Sequence, residues 1–207
     1  MAGGHPLFAA LYDVLVELAD RGGLADYRRK IVGRATGRVL EIGAGTGRNF
    51  PYYGQVTSVL AIEPDPHMRR RAHRRVRECP VPASVVDGIA ERLPMDDHSI
   101  DTVVSTLVFC TVPDPAAALQ ELRRVLAPGG SLRFVEHVRG DSPGLARLQD
   151  RVTPVHRRLA AGCHPNRDFV LLLQIEGFRV PELERFPLGP PWTRPHVAGV
   201  ATPATGG

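Results

Sequence analysis

The sequence predicts an α/β fold in which a mostly parallel sheet carries helices on both faces. Short apolar runs alternate with helical segments from Gly37 onward, as expected when helices connect parallel strands. The helical segment near 115–126 begins with proline and is followed by glycine, which is the usual asymmetry of helix ends. A glycine-rich loop follows the first apolar run, where open α/β sheets bind their ligands.

The predicted secondary structure starts with two helices and continues with alternating strands and helices. The first helices are expected at 7–19 and 25–34, because apolar residues recur there at helical spacing and a glycine pair separates them. Buried strands are expected at 38–42, 56–62, 83–86, 102–108 and 131–138. Helices are expected at 66–78, 115–126 and 162–178. Two proline-rich segments at 183–186 and 196–201 are strand-like, and we expect them at edges and turns because proline cannot donate to a sheet ladder.

Size and composition predict one soluble globular domain. The chain has 207 residues, 43% of them apolar, which suffices for one sizeable core but not for two comfortable domains. Within that domain we expect N-terminal helices that form a lid at 1–36, a cofactor-binding core at 37–138 and a substrate-side part at 139–207. The apolar runs are too short to span a membrane and no signal peptide is recognisable. We therefore expect a cytoplasmic protein without an integral membrane segment.

The basic residues give a formal net charge of +4 and cluster at 69–77. Met68, Ala72 and Val76 form an apolar stripe along the same segment, which predicts a helix with one buried face. We interpret the arginines as the solvated face of that helix rather than as a nucleic-acid site. No recognition motif accompanies the charge, so no nucleic-acid partner is expected.

Three cysteines, Cys79, Cys110 and Cys163, lie far apart in the sequence. They form no CxxC pair, and their spacing matches no zinc pattern, even with His164 beside Cys163. We therefore expect reduced thiols in an intracellular protein and no metal site.

The glycine-rich loop is the strongest functional motif in the sequence. It consists of Gly43, Ala44, Gly45, Thr46 and Gly47, and alternate glycines let the backbone approach a ligand closely. A dinucleotide-binding loop that starts at Gly43 would require a further glycine at position 48, which is Arg48. S-Adenosylmethionine has no phosphate and needs no such glycine, and Glu41 can help to neutralise its ammonium group. The loop therefore favours a methyl-donor site over a nicotinamide site.

Glu63 follows the second predicted strand and is the expected partner of this loop. An acidic side chain at such a position accepts hydrogen bonds from the ribose hydroxyls of a nucleoside cofactor. The alternative role, capping of the next helix, is filled better by Asp65. Glu63 thus indicates a nucleoside-containing ligand, but it does not distinguish S-adenosylmethionine from a nicotinamide dinucleotide.

The ordered combination of segments 39–47, 90–94, 99–104 and 119–130 with Glu63 covers most of the core. It resembles the class I S-adenosylmethionine-dependent methyltransferases of the ubiquinone/menaquinone-methylase type. The resemblance implies a seven-stranded sheet of order 3-2-1-4-5-7-6 with strand 7 antiparallel. It also implies S-adenosylmethionine as cofactor, S-adenosylhomocysteine as product and in-line methyl transfer to a small-molecule acceptor.

The same resemblance implies cofactor contacts at particular positions beyond the glycine loop and its acidic residues. They are Tyr12, Asn49, Pro64, Gly88, Ile89, Ala90, Glu91, Thr106, Leu107 and Val108. Many relatives have aspartate at the position of Ile89, so we expect backbone atoms at 88–90 to contact the adenine here. Tyr12 is expected either to fold over the cofactor as part of a lid or to pack in the core.

A narrower resemblance, to the methyltransferase-like 7 subgroup, is carried by segments 106–112, 136–138, 162–164 and 194–199. Animal members of that subgroup methylate small-molecule thiols and hold to membranes through an N-terminal anchor. The resemblance implies a thiol acceptor, while membrane residence is not expected here. A nicotinamide-dependent oxidoreductase and a non-catalytic adenosyl-binding protein stay open as alternative interpretations.

Histidines are the candidate catalytic residues. Methyl transfer from a sulfonium depends on alignment, which can be worth about 7–11 kcal/mol, and needs no metal. A thiol or hydroxyl acceptor must also lose a proton to a base whose pKa is near the working pH. His137 after the fifth strand and His164 before the next helix are the predicted bases, and His196 is a third candidate. The alternative for each is a hydrogen bond to the backbone without a catalytic role.

Overall fold

The protein folds around a seven-stranded sheet. The computed structural model describes residues 6–204, with side chains from residue 13 onward. The strands are β1 (Gly37–Ile42), β2 (Val56–Ile62), β3 (Ala83–Val86), β4 (Ile100–Thr106), β5 (Leu126–His137), β6 (Phe178–Pro187) and β7 (Pro195–Pro203). Their order is β3-β2-β1-β4-β5-β7-β6, and β7 is antiparallel to both of its neighbours. The order and the direction predicted from the sequence are confirmed.

Helices connect the strands and extend the N-terminal region. They are α1 (Pro6–Ala19), α2 (Ala25–Ile31), α3 (Pro66–Arg75), α4 (Pro115–Val125), α5 (Pro143–Leu159) and α6 (Phe169–Ile175). α3, α4 and α5 begin with proline, and each follows a residue whose side chain caps the helix: Asp65, Asp114 and Ser142. Such caps satisfy amide groups that the first helical turn leaves unpaired.

Successive residues of the central strands enter cores on opposite faces of the sheet. Leu40 and Ile42 of β1 pack in the core that α4 and α6 cover, whereas Val39 packs in the core that contains Ala72 of α3. α2 adds Ile31 to a third cluster with Val135. The prediction of helices on both faces is therefore confirmed, and the carboxyl ends of β1, β2 and β4 lie together at one edge.

The helix prediction for the C-terminal third needs two corrections. α5 was not predicted, although Leu145, Leu148, Val152, Val155 and Leu159 recur in it at helical spacing; Pro154 lies inside the helix. The helix expected at 162–178 begins only at Phe169, after the capping residue Asp168. Gly162 has a φ of 89°, which is incompatible with a right-handed helix at that point.

The segment expected at 196–201 is an inner strand rather than an edge or a turn. β7 pairs with β5 on one side and with β6 on the other. Its prolines, Pro195 and Pro203, occupy the two ends of the strand, so they leave the pairing of 196–201 with β5 uninterrupted. β6, which corresponds to the segment expected at 183–186, is the edge strand on that side of the sheet. β5 also starts earlier than expected, at Leu126, and includes the glycine pair 129–130.

Candidate active site

The glycine-rich loop leaves β1 at the carboxyl edge of the sheet. Gly43, Gly45 and Gly47 have φ values of 58°, 56° and 83°, a region that side chains rarely adopt. A Cβ atom on Gly43 would lie 2.7 Å from Cγ2 of Val108, which follows β4. The loop can therefore pack against the end of β4 only with glycine at this position.

Glu63 joins the end of β2 to this loop. Its Oε2 accepts a hydrogen bond from the Gly45 amide at 2.7 Å, and its Oε1 accepts one from the Asp65 amide at 2.9 Å. Burial raises the pKa of Glu63 to about 7. Each carboxylate oxygen has a second acceptor position. The carboxylate therefore suits a ligand that offers two hydroxyl groups, as the ribose of a nucleoside does.

A buried polar network lies beneath the loop. Glu41 accepts hydrogen bonds from Asn49 at 2.9 Å and from the hydroxyl of Tyr53 at 2.7 Å. Asn49 also donates to Thr106 at 3.1 Å and accepts from Arg28 of α2 at 2.6 Å. Glu41 and Asn49 thus hold the loop to β4 and α2, and their expected contacts with the cofactor stay predictions.

The N-terminal helix is fastened to the loop through Asp13. This carboxylate accepts hydrogen bonds from the Thr46 hydroxyl at 2.7 Å, from Arg71 at 2.7 Å and from Arg75 at 3.0 Å. The same contacts hold the pKa of Asp13 below its usual range, despite its burial. Arg71 and Arg75 of the basic helix therefore form ion pairs within the protein. Tyr12 precedes Asp13 in α1, but its side chain lies outside the described residues.

The end of β3 presents an apolar surface where an adenine contact was predicted. Ile89 is 48% exposed, and the neighbouring Ala90 is buried. Glu91 accepts a hydrogen bond from the amide of Asp114 at 3.2 Å, and the carbonyl of Pro64 accepts one from Arg69 at 3.1 Å. Gly88, between β3 and Ile89, is partly exposed.

The chain reverses sharply where β4 ends. Leu107 has a φ of 59°, which is unusual for a residue with a side chain, and its amide donates to the carbonyl of Val135 at 2.8 Å. The amide of Val108 donates to Oε1 of Glu136 at 3.0 Å, and the Ser105 hydroxyl donates to the same oxygen at 2.6 Å. Burial raises the pKa of Glu136 to about 7. Leu107 and Val108 thus stand beside the glycine loop in a fixed turn.

The predicted catalytic histidines lie beside two cysteines. Nε2 of His137 is 3.1 Å from Sγ of Cys163, and one ligand atom from each of Cys110, His137 and Cys163 lies within 4.8 Å of the others. All three residues are buried. Nδ1 of His137 has no hydrogen-bond partner among the described residues. A hydrogen bond from the Cys110 thiol, together with nearby His137, lowers the pKa of Cys163.

The other two histidines have backbone partners. The amide of His164 donates to the carbonyl of Cys110 at 2.7 Å, and its Nδ1 lies 3.4 Å from the same oxygen. Burial and the nearby Arg167 lower the pKa of His164. His196 is buried, its Nδ1 lies 3.1 Å from the carbonyl of Arg194, and burial lowers its pKa to about 4. His164 therefore borders the cysteine cluster, whereas His196 makes a backbone contact.

Gln149 of α5 organises the substrate-side part and was not predicted. Its Oε1 accepts from the amide of Gly140 at 2.7 Å, and its Nε2 contacts the carbonyls of Val138, Pro165 and Trp192 at 2.9–3.1 Å. The buried side-chain amide of Gln149 thus connects three segments: the one after β5, the one before α6 and the one before β7. A glutamine in an unrecognised helix offers no sequence signal for this role.

Comparison with known proteins identifies the family. Residues 40–134 match the methyltransferase domain family. Thiol S-methyltransferase TMT1B of Homo sapiens is 35% identical over 81% of this chain and 72% of its own length. Phosphatidylethanolamine N-methyltransferase of Cereibacter sphaeroides is 31% identical over 74% of this chain and 75% of its own length. The crystal structure of an S-adenosylmethionine-dependent methyltransferase from Thermotoga maritima shares the fold, with a TM-score of 0.72 and 24% identity over 95% of this chain and 97% of that chain.

The chain therefore belongs to the class I S-adenosylmethionine-dependent methyltransferases, in the subgroup that contains the thiol S-methyltransferases. This confirms the prediction of an S-adenosylmethionine-dependent methyltransferase over the nicotinamide-dependent alternative, while the cofactor contacts of the glycine loop stay a prediction. Among the helices described between residues 6 and 204, none is long and apolar enough to cross a bilayer.

Proposed function

We propose that this protein transfers the methyl group of S-adenosylmethionine to a small-molecule thiol, in the cytoplasm. The observation that carries the cofactor assignment is the Glu63 carboxylate, held against the loop by the Gly45 amide with two acceptor positions left. Ile89, exposed at the end of β3, offers an apolar contact to the adenine. The three cysteines are free, which is the state that the reducing cytoplasm maintains.

The cofactor supplies a methyl group on a positively charged sulfur, so the chain must bind, align and deprotonate the acceptor. Attack by the acceptor sulfur forms a carbon–sulfur bond while the bond to the sulfonium breaks, and S-adenosylhomocysteine leaves. We assign the acceptor side to residues 139–207 and to the turn at Leu107 and Val108. His164 borders this region and takes the thiol proton. We assign His137 an indirect, positioning role, through the contact of its Nε2 with Sγ of Cys163.

Thiol acceptors are supported by the relatives named thiol S-methyltransferases, and one relative is named a phosphatidylethanolamine N-methyltransferase. A turnover assay therefore has to separate sulfur from nitrogen acceptors. The protein is incubated with S-adenosylmethionine and either small aliphatic and aromatic thiols or phosphatidylethanolamine vesicles, and both S-adenosylhomocysteine and the methylated product are quantified. We expect methyl thioethers. Methylation of the lipid amine alone would refute the thiol assignment.

Calorimetric titration tests the cofactor independently of the acceptor. We expect S-adenosylmethionine and S-adenosylhomocysteine to bind and NAD not to bind. Binding of NAD without S-adenosylmethionine would contradict the proposed site. Binding of S-adenosylmethionine without turnover of either acceptor class would support the non-catalytic adenosyl-binding alternative.

A further inference from the structure

Three side chains with the chemistry of zinc ligands meet at the acceptor side of the sheet. Cys110 follows β4, His137 ends β5 and Cys163 precedes α6, and their ligand atoms lie within 4.8 Å of one another. All three residues are buried, at 5%, 7% and 7% exposure. Thiolate and imidazole are the ligands that zinc prefers, and three protein ligands with an open fourth position are typical of catalytic zinc sites.

The present distances suit a tetrahedral ion with little movement. Zinc–sulfur and zinc–nitrogen bonds of about 2.3 and 2.0 Å place two ligand atoms roughly 3.5–3.8 Å apart. Nε2 of His137 is 3.1 Å from Sγ of Cys163, so a small separation of these side chains admits the ion. The Cys110 thiol has one weak backbone contact, to the carbonyl of Leu107 at 3.6 Å. These three groups are therefore not already committed to strong hydrogen bonds elsewhere.

The backbone holds the three side chains in place from separate segments. The Cys110 carbonyl accepts from the amide of His164 at 2.7 Å, and the Cys163 amide donates to Ala160 at 2.9 Å. Leu107 and Ala161, with φ values of 59° and 48°, lie shortly before the two cysteines. Such strain in residues with side chains persists where the surrounding structure enforces it, and it is concentrated at functional sites.

We propose that Cys110, His137 and Cys163 bind one zinc ion, whose fourth position takes the sulfur of the acceptor thiol. The acceptor sulfur loses its proton to His164 on binding and is methylated as a zinc-bound thiolate; the sulfonium bond breaks as the new carbon–sulfur bond forms. The assignment of the fourth ligand rests on the proposed function, because it requires a thiol acceptor. The assignment of the three protein ligands does not depend on it. Before the acceptor binds, two cysteine thiolates and one dication leave the buried three-ligand site without net charge, which lowers the cost of burying them.

Metal analysis tests the site without reference to activity. The protein is loaded with zinc chloride, passed over a desalting column and analysed by mass spectrometry for zinc per chain. We expect one zinc per chain in the wild type and in Cys79→Ser, which removes the half-buried thiol outside the cluster. Cys110→Ser, Cys163→Ser and His137→Ala should each weaken zinc binding by more than about 100-fold, since loss of a direct ligand exceeds the effect of a supporting residue.

Two measurements on the wild-type chain apply even if a variant fails to fold. Cobalt chloride in place of zinc should give the sulfur-to-metal charge-transfer and tetrahedral ligand-field bands of a two-thiolate site. Zinc should protect Cys110 and Cys163, but not Cys79, from alkylation by a maleimide. The proposal is overturned if the wild type binds no zinc or if all three cluster variants retain it. A disulfide between Cys110 and Cys163 in the purified protein also overturns it.

Activity then separates the zinc site from the proposed function. We expect chelation to abolish thiol methylation while S-adenosylmethionine still binds. Thiol methylation that is unaffected by complete removal of zinc would overturn the assignment of the fourth ligand but leave the proposed function intact. Zinc binding without methylation of any thiol would refute the thiol acceptor but leave the three-ligand site intact.

Discussion

The carboxylate of Glu63 accepts a hydrogen bond from the amide of Gly45 at 2.7 Å, which ties the end of β2 to the cofactor loop. One side chain therefore shapes the loop, and in the proposed cofactor site its remaining acceptor positions would bind a ribose. The charge and the number of oxygens of Glu63 should matter more for cofactor affinity than for folding.

Glu63→Gln should weaken binding of S-adenosylmethionine roughly 10–100-fold, because a charged hydrogen-bond acceptor is lost while one oxygen remains for the loop amide. Calorimetric titration measures the change. Asp87→Asn, an exposed carboxylate nearby that pairs with Arg69, is the matched control and should leave the affinity unchanged. Equal affinities of wild type and Glu63→Gln would remove Glu63 from the cofactor site.

Gly43→Ala should destabilise the protein by about 2–4 kcal/mol and reduce cofactor binding. The substitution forces a side chain into a left-handed conformation and places its Cβ 2.7 Å from Val108. Gly54→Ala is the control, since an added Cβ there meets nothing within 4 Å. Denaturant unfolding and titration of the cofactor check both effects. An effect of similar size in the two variants would contradict the packing argument.

Glu41→Gln should reduce the dependence of stability on pH. Burial raises the pKa of Glu41 to about 7, although Tyr53, Asn49 and the nearby Arg28 lower it. The folded protein therefore keeps a proton that the unfolded chain loses near pH 4.5. Its stabilising contribution is present at low pH and is lost as the pH rises through about 7.

The measurement for Glu41→Gln is the free energy of unfolding at pH 5 and pH 8. The decrease between these two values should be smaller than in the wild type by roughly 2 kcal/mol. Part of the decrease should remain in the variant, because the pKa values of Glu63 and Glu136 are also raised to about 7. Glu78→Gln on the surface should leave the wild-type profile intact. A steeper profile in Glu41→Gln would show that the sign is wrong.

Gln149→Ala should cost about 2–4 kcal/mol of stability, because it leaves a buried amide and several carbonyls without their partner. The exposed Gln174 of α6 provides the control substitution Gln174→Ala. Hydrogen exchange should increase mainly in the segments after β5 and before β7. An increase in hydrogen exchange that is uniform across the sheet would indicate a general loss of stability instead of a local one.

Local patterns in the sequence were sufficient for most of the fold. Apolar runs indicate burial and glycines indicate unusual backbone angles, so the ends of β1 to β4, α3 and α4 were predicted to within about three residues. α5 was missed although its apolar residues recur at helical spacing, and the prolines at the ends of β7 resembled edge signals. In β7, pairing with β5 and β6 on both sides outweighed the local proline signal.

The sequence by itself determined the fold class and located the glycine loop and Glu63, because each of these depends on residues close together in the chain. Only the tertiary structure placed Asp13 against Thr46 and brought Cys110, His137 and Cys163 together. Cys110 follows β4, His137 ends β5 and Cys163 lies between α5 and α6, and the parallel register of β4 and β5 sets where these residues meet. The spacing of these residues along the chain does not predict that they lie close together, because their proximity depends on strand order and loop closure rather than on local preference.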